Sequence, residues 1–558
     1  MSCTASVFNT SQKNFEISDV EIVNGKYWMI GDIEVDKINY TKEEVIDGSG
    51  MYLIPGLIDI HMHIESSMTT PVEYSNTVLK LGTTTVVADS HEVANALGLE
   101  GLYEYMNSEQ DLDIFYSVPS SVPSTNNDLE TTRGFIGEKE VKELCKFSKI
   151  RALGEIMNFK EIVEEKDNHT KRIIKAFKEE HPNYPIEGHI PLVTGYELAR
   201  YLHAGIGSDH THQSVNSLLE KTKFGILVQL QEKSMTKEIF SAIKKYHLEE
   251  FVCFVSDDVM PDDLINKGHM DYLIRKAVSL GYPIEDAIYA ATYIPAQRML
   301  FFDRGMIGPG KVADGVILKD LEKFEIYDVI KNGELVSNKD KCPQMKFSEK
   351  MNSSIFRNEI SIDDLIIKTE GNKALVRVIE REISSTFTHE KHVWVDIKDG
   401  ILQWKEKNLN LIVVLERYGN NTKPAIGFVS NGFNKTCAMA TTWSHDSHNI
   451  LCMGNDEELM VKVINKVIRE QGGIAISSES EENFLSLRFG GVVSLEPMEK
   501  IAFELEKIRK VMIKNGYESH NAIMSFCVLA LLVSPSLKIS DKGYVNVRTQ
   551  EILDWRVK

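Results

Sequence analysis

The chain has 558 residues, 42% hydrophobic and 26% charged, the balance of an ordinary globular protein, which excludes wholesale disorder or a coiled coil. That length predicts about two to four domains, one large and at least one accessory. With 63 basic against 82 acidic side chains the net charge is −19, which opposes attraction to nucleic acid or anionic lipid and excludes both as expected partners.

Seven cysteines are scattered at 3, 145, 253, 342, 437, 452 and 527 with no CxxC pair, and the odd count argues against a complete disulfide framework. They fit a reducing cytoplasm. Met1 to Ser18 is polar and lacks the basic and apolar parts of a secretory leader. No apolar run approaches the roughly 18 residues that span a bilayer, and Ile523 to Val533 is expected to be core.

From Ser18 to Tyr52 short β-type runs (Val20 to Val23, Lys26 to Ile30, Val45 to Ile46) alternate with turn signals at Asn24-Gly25 and Asp47-Gly48, predicting a small β unit. After Pro55 the pattern becomes short β-rich segments separated by helical stretches, the mark of repeated βα units and a parallel sheet. Eight strand ends are predicted: at His61 and His63, Asp89 to Glu92, Pro119 to Val122, Glu155, His189, Asp209-His210, Gln229 to Glu232 and Asp257-Asp258. Polar residues gathered at the ends of eight strands predict a (β/α)8 TIM-like barrel, whose active site is built from the loops that follow its strands. An Asp or Ser in such a place can equally cap the next helix, so the argument rests on the gathering.

Arg304 to Leu318 is a turn-rich lead into a strand, continued by Ile326 to Leu335 with a turn at Asn332-Gly333; these strands could complete the N-terminal β unit. Beyond about residue 345 the pattern starts afresh. Strands are predicted near Leu375 to Ile379, Val393 to Ile397 and Leu411 to Leu415, and helices over Asp456 to Glu470 and Pro497 to Asn515. The fold class expected is α/β: residues 1–54 and 304–344 as two parts of a small β-sandwich, 55–303 as the barrel, and 345–558 as an accessory α/β domain.

The chemistry starts at Pro55 to His63, where an apolar run ends in two histidines one residue apart. In a strand, side chains at i and i+2 share a face, so both imidazoles can reach one metal. With His189, His210 and Asp257 they make an open set of imidazole and carboxylate donors suited to Zn, Mn or Fe(II), and the lack of clustered thiols disfavours a structural zinc site. A second metal needs a bridging anion, for which Glu155 is the candidate. Two such metals would acidify a bridging water, so hydrolysis is the expected reaction class. Asp257 is placed both as ligand and as acceptor of the water's proton. Glu92, in Asp89-Ser90-His91-Glu92, is placed as the acid that helps the leaving atom depart; Asp89 and His91 orient substrate or ligands, or simply hold the loop.

These residues lie in segments that resemble the amidohydrolase superfamily, and within it the bacterial-type adenine deaminases, over nearly the whole chain. The matching segments are Pro55 to Ser67, Gly82 to Gly98, Leu153 to Phe159, Gly188 to Pro191, Ala204 to His210, Ser256 to Asp258 with Gly268-His269, Asp303 to Asp314, and Ala440 to Asn449. The resemblance implies a metal-dependent barrel with a β-sandwich from both flanks, hydrolysing a free 6-aminopurine, adenine to hypoxanthine and ammonia. It places a binuclear metal centre on His61, His63, Glu155, His189, His210 and Asp257, with Mn or Fe(II) favoured over Zn. It matches Asp89, His91 and Glu92 to a catalytic loop.

Two departures bear on the substrate. The family usually continues Ser-Asp-His with Glu, where this chain has Thr211, His212 and Gln213; it usually follows Asp-Asp with Arg-His-Pro, where this chain has Val259, Met260 and Pro261. Glu92, His212 and Asp258 are the expected substrate contacts. A more apolar rim at Val259 and Met260 keeps an N6-substituted adenine open as substrate, and cyclic amide hydrolysis is the other enzymatic alternative. Ser444-His445-Asp446-Ser447-His448 could be a second metal site or a hydrolase centre, but adjacency does not make a triad, and a structural or site-covering role is expected. The expected assembly is a cytoplasmic homodimer.

Overall fold

The computed structural model describes residues 2–33, 45–164, 166–420 and 423–558; residues 34–44 of the predicted N-terminal unit lie outside them. The chain opens with β1 (Ser2–Asn9), β2 (Asn14–Val23), β3 (Lys26–Gly31) and β4 (Val45–Pro55). The Asn24-Gly25 turn forms between β2 and β3. Asp47-Gly48 is not a turn but lies inside β4, where the register with β1 slips between Thr4 and Ser6. Glycine is used there for a bulge: a Cβ on Gly48 would fall 2.6 Å from the Thr4 carbonyl.

Eight parallel strands follow: β5 (Leu57–Met62), β6 (Thr83–Ala88), β7 (Asp113–Val118), β8 (Ile150–Ile156), β9 (Ile186–Gly188), β10 (Ser208–Asp209), β11 (Leu227–Leu230) and β12 (Val252–Phe254). All the predicted strand ends fall at the carboxyl ends of these strands. β5 and β6 are buried at every residue, the pattern of parallel strands covered on both faces, which is why they read as apolar runs and not as alternation. β5 to β9 form one hydrogen-bonded sheet and β10 to β12 another.

Two seams join the sheets. At the first, the Gly207 amide donates to the Ile186 carbonyl at 3.1 Å, and the buried Glu187 carboxylate accepts from Ser208 Oγ at 2.7 Å and Gln229 Nε2 at 2.5 Å. At the second, the Asp257 amide donates to the His61 carbonyl at 3.1 Å. The parallel strands therefore curl round a common axis, with helices outside.

β13 (Gly315–Asp320), β14 (Glu325–Lys331) and β15 (Glu334–Leu335) return to the N-terminal strands, as the sequence predicts. The described residues make one seven-stranded sheet, ordered β15-β14-β13-β4-β1-β2-β3, in place of the expected two-layered sandwich. The sheet curls on itself: Tyr27 of β3 donates its amide to Lys311 O at 3.0 Å, just ahead of β13, and Cys3, Val20, Tyr27, Leu53 and Ile317 share one core. One bent sheet thus buries its own apolar face.

The C-terminal region carries β16 (Lys373–Arg381), β17 (Thr388–Lys398), β18 (Ile401–Leu402), β19 (Asn410–Leu415), β20 (Ala425–Ser430), β21 (Cys437–Thr441), β22 (Ile450–Gly454), β23 (Gly473–Ser478) and β24 (Glu482–Ser486) in one nine-stranded sheet. The helix Glu457–Arg469 starts where Asp456 accepts the Leu459 amide, and it packs Met460, Val463, Ile464, Val467 and Ile468 inward at helical spacing. The helix Met498–Lys514 reaches the parallel strands: Arg509 clasps Asp262, in the helix after β12, at 2.9 and 3.0 Å. Ile523 to Val533 is core, as expected, apart from half-buried Met524, Leu531 and Val533. All seven cysteines are free, and no helix among the described residues is long and apolar enough to cross a membrane.

Candidate active site

At the carboxyl end of β5 the two-residue spacing sets His61 and His63 side by side, both buried. Their Nε2 atoms lie 3.7 and 3.5 Å from Asp257 Oδ1, brought in by the end of β12, and His63 Nε2 lies 3.4 Å from Glu155 Oε1 at the end of β8. His210 stacks on His61 with ring centres 3.8 Å apart and sets Nε2 3.3 Å from Glu155 Oε2. His189 places Nδ1 2.9 Å from the same oxygen. All six predicted ligands therefore converge.

Donor atoms fall within 4.8 Å of one another in three overlapping groups: His61, His63 and Asp257; His61, Glu155 and His210; and His63, His91 and Glu155. His189 stands just outside these groups, tied to Glu155, and His91, expected only to orient, enters the third. Several details fit a metal. His63 Nδ1–H donates to the Asp89 carbonyl at 2.7 Å, which leaves Nε2 as the free lone pair. His61 Nε2 and His210 Nδ1 are buried with no hydrogen-bond partner among the described residues.

The electrostatics agree. Burial works against ionisation of Glu155 and Asp257, yet the surrounding imidazoles outweigh it and hold both carboxyls well below the usual range. Burial and the His61 charge pull His210 down to about 3, whereas His63, despite burial, is lifted well above its ordinary value by Asp257 and Glu155. Two buried carboxylates that stay ionised among imidazoles need positive charge beside them, which protonated imidazoles or a bound cation would supply.

Local backbone choices set these positions. Asp257 is left-handed, with φ 56°, a conformation Asp tolerates better than most residues. Gly154 lets Asp89 approach: Asp89 Oδ2 accepts the Glu155 amide at 3.0 Å, and a Cβ on Gly154 would lie 2.1 Å from that oxygen. Asp89 thus holds the Glu155 strand end, while its Oδ1 is 3.6 Å from His91 Nδ1.

Glu92, the expected acid, is buried against His445, whose Nδ1 lies 2.9 Å from Oε1, with His448 Nε2 3.8 Å from Oε2. Burial pushes its carboxyl up, but His445, His448 and His91 outweigh that and hold it below the usual range. Asp258 differs: it is exposed to solvent next to Asp257, and the protein packed around its carboxyl together with the Asp257 charge pushes it up. His212 is exposed beside Lys233, whose Nζ lies 3.8 Å from Asp257 Oδ2, which puts His212 at the rim. Met260 is buried with its sulfur 3.5 Å from Arg509, so it does not make the rim apolar. A cavity of about 650 Å³, lined by Ile174, Lys175 and Arg200 among others, lies between outer helices, away from this chemistry.

The amidohydrolase family model matches residues 52–336, and the adenine deaminase C-terminal domain matches residues 385–551. A protein named adenine deaminase from Clostridium perfringens is 44% identical over 98% of this chain and 97% of its own length. The chain belongs to the adenine deaminases of the amidohydrolase superfamily. Other adenine deaminases agree along their length: one numbered 2 from Oenococcus oeni is 42% identical over 98% of this chain and 96% of its own, and one from Clostridium acetobutylicum is 33% identical over 96% and 95%. Among solved structures, a β-aspartyl dipeptidase from Fervidobacterium islandicum AW-1 overlaps 60% of this chain and 95% of its own, at 22% identity and a TM-score of 0.45.

Several site residues carry no signal by which the sequence alone singles them out. Ser66 lies in a matching segment, yet only the fold shows its Oγ 2.6 Å from Asp258 Oδ1 and 3.3 Å from Glu92 Oε1. Asp59 and His269 also matched, and they meet behind the metal residues. Lys233 gave no signal at all.

Proposed function

We propose that the protein hydrolyses free adenine to hypoxanthine and ammonia, with two divalent ions held by His61, His63, Glu155, His189, His210 and Asp257. The observation that carries this is the convergence of those six side chains on strand ends, in a chain similar from end to end to proteins named adenine deaminase. Bound there, the ions would acidify a water toward neutral pH; Mn or Fe(II) suits these imidazole and carboxylate donors, and Zn would also be accepted.

The protein's own groups account for the proton movements. Asp257 faces the reacting centre and accepts the proton as water oxygen adds to C6 of the purine. Asp258, exposed next to Asp257 with its carboxyl pushed up, takes over the acid role first given to Glu92, protonating the ring nitrogen or the departing amine. Collapse of the adduct breaks the C6–N bond and leaves hypoxanthine and ammonia. Asp89, through the Glu155 amide, keeps the Glu155 strand end in place, from which the carboxylate would hold metal.

The parallel strands are inferred to close as an eight-stranded barrel, which the backbone hydrogen bonds at both seams support. The division into residues 1–54, 55–303, 304–344 and 345–558 is retained, the first and third segments together forming the bent sheet. Free cysteines and the acidic balance support a cytoplasmic location. The test is a substrate panel on Mn-loaded protein. Adenine should give hypoxanthine and ammonia with a kcat/KM well above that for N6-methyladenine; preference for N6-methyladenine, or turnover of dihydropyrimidines alone, would refute the reading.

A further inference from the structure

Four side chains form a line from the C-terminal region to Asp258. His445 Nδ1 is 2.9 Å from Glu92 Oε1, Glu92 Oε1 is 3.3 Å from Ser66 Oγ, and Ser66 Oγ is 2.6 Å from Asp258 Oδ1. His445, Glu92 and Ser66 are buried, and Asp258 is exposed to solvent. We infer that His445, Glu92 and Ser66 are positioning residues for deamination, through which the C-terminal region orients the Asp258 carboxyl toward the substrate.

Three observations carry this. The first is the fastening of both ends. Trp443 Nε1–H donates to the Glu65 carbonyl at 3.2 Å, which ties the 443–449 loop to the turn bearing Ser66; that turn is tied back to the metal strand by the Ser66 amide on the His63 carbonyl at 3.1 Å. The second is the rigidity of the loop. The His448 amide donates to the Ser444 carbonyl at 2.9 Å, and Asn449 Nδ2 reaches the Thr131 carbonyl at 2.9 Å.

The third is the placement of the serine hydroxyl. Ser66 Oγ stands 2.6 Å from Asp258 Oδ1 and 3.3 Å from Glu92 Oε1, so a single short side chain spans the two carboxyl groups. With His445 charge-paired to Glu92, Ser66 serves as the hinge that couples Glu92 to Asp258. A group that bridges two carboxyls in this way fixes the rotamer of the exposed one, and a reacting carboxyl a fraction of an ångström out of place loses rate. The inference rests on the deaminase reading, because the role of Asp258 comes from it.

The test is a double-mutant cycle with Ser66→Ala and His445→Phe, read as kcat and KM on adenine with Mn content measured for every variant. His445→Gln, which retains an N–H for Glu92, is the conservative rescue. Each single variant should lower kcat about 10- to 100-fold with metal content unchanged, the double variant should fall no further than the worse single, and His445→Gln should recover most of the rate. Multiplying effects in the double variant, or wild-type kcat in His445→Phe, would overturn the inference. If His445→Phe does not fold, the same cycle with Glu92→Gln decides it by the same criteria. Wild-type protein without adenine turnover would instead overturn the deaminase reading and this role of Asp258 with it.

Discussion

Asp59→Asn strikes the buried clip behind the metal residues. Asp59 sits on β5 and reaches across the second seam: Oδ1 accepts the His61 amide at 3.2 Å, and Oδ2 accepts the Ser256 amide at 3.2 Å and the Ser256 hydroxyl at 2.5 Å. His269 Nε2 is 3.2 Å from the same oxygen, itself held by Tyr74 at 2.8 Å and, through Nδ1, by Thr83 at 2.8 Å. Asparagine keeps one acceptor but turns an N–H toward the Ser256 amide, leaving a buried donor facing a donor. Hydrogen bonds to a charged group contribute roughly 1.5–3 kcal/mol each, and the serine hydroxyl can turn to recover part of one, so the net loss is about 2–4 kcal/mol. Ser256 immediately precedes Asp257, so the slip should also loosen that ligand from His61 and His63 and weaken metal binding about 10- to 100-fold. Urea unfolding reads the first effect and calorimetric Mn titration the second. Stability within 0.5 kcal/mol of wild type (an assay margin set on the order of typical surface-mutant effects), together with unchanged Mn affinity, would refute the reasoning.

Gly154→Ala should drive Asp89 away from the Glu155 amide and cut kcat/KM about 10-fold or more, measured beside metal content; wild-type activity would show that the close approach is dispensable. Lys538 is buried, and burial with the Arg381 charge depresses its amine to about 7, below the unfolded value. The unfolded chain then holds a proton that the folded chain lacks between about pH 7 and 10.5, so this residue makes stability fall as pH drops through that window, by up to about 1.4 kcal/mol per pH unit, and level off below it. Lys538→Met should flatten that slope relative to wild type in urea unfolding at a series of pH values. Chelating the metal should abolish activity and lower the melting temperature, since an ion at 100 times its Kd stabilises by about 2.7 kcal/mol; a melting temperature indifferent to chelator would argue against a site in the native core.

What the sequence makes legible is the part governed by short-range spacing. His61 and His63 share a face because strands have period two, and the strand ends from His61 to Asp258 stand out because fully buried parallel strands read as apolar runs that stop at polar residues. Contacts between distant segments are not legible in this way. His445 and Glu92 are 353 positions apart in the chain, and nothing in either neighbourhood says that they pair; hence the sequence offers Glu92 as an acid without showing its buried pairing with His445. Ser66 is a common residue whose importance comes only from standing between two carboxyls. The flanking strands were legible as strands, but whether they make two layers or one bent sheet depends on long-range pairing through β1 and β4, and the Gly48 bulge that bends them was indistinguishable from a turn.

The central claim is that adenine loses its amine through water activated at this cluster, with Asp257 as proton acceptor. The most direct test is reconstitution of metal-free wild-type protein and Asp257→Asn with increasing Mn, following conversion of adenine to hypoxanthine. The account predicts that wild-type activity climbs to a plateau at two ions per chain, while Asp257→Asn remains at least about 10³-fold less active at saturating metal. A plateau at one ion, or an active Asp257→Asn, would contradict it.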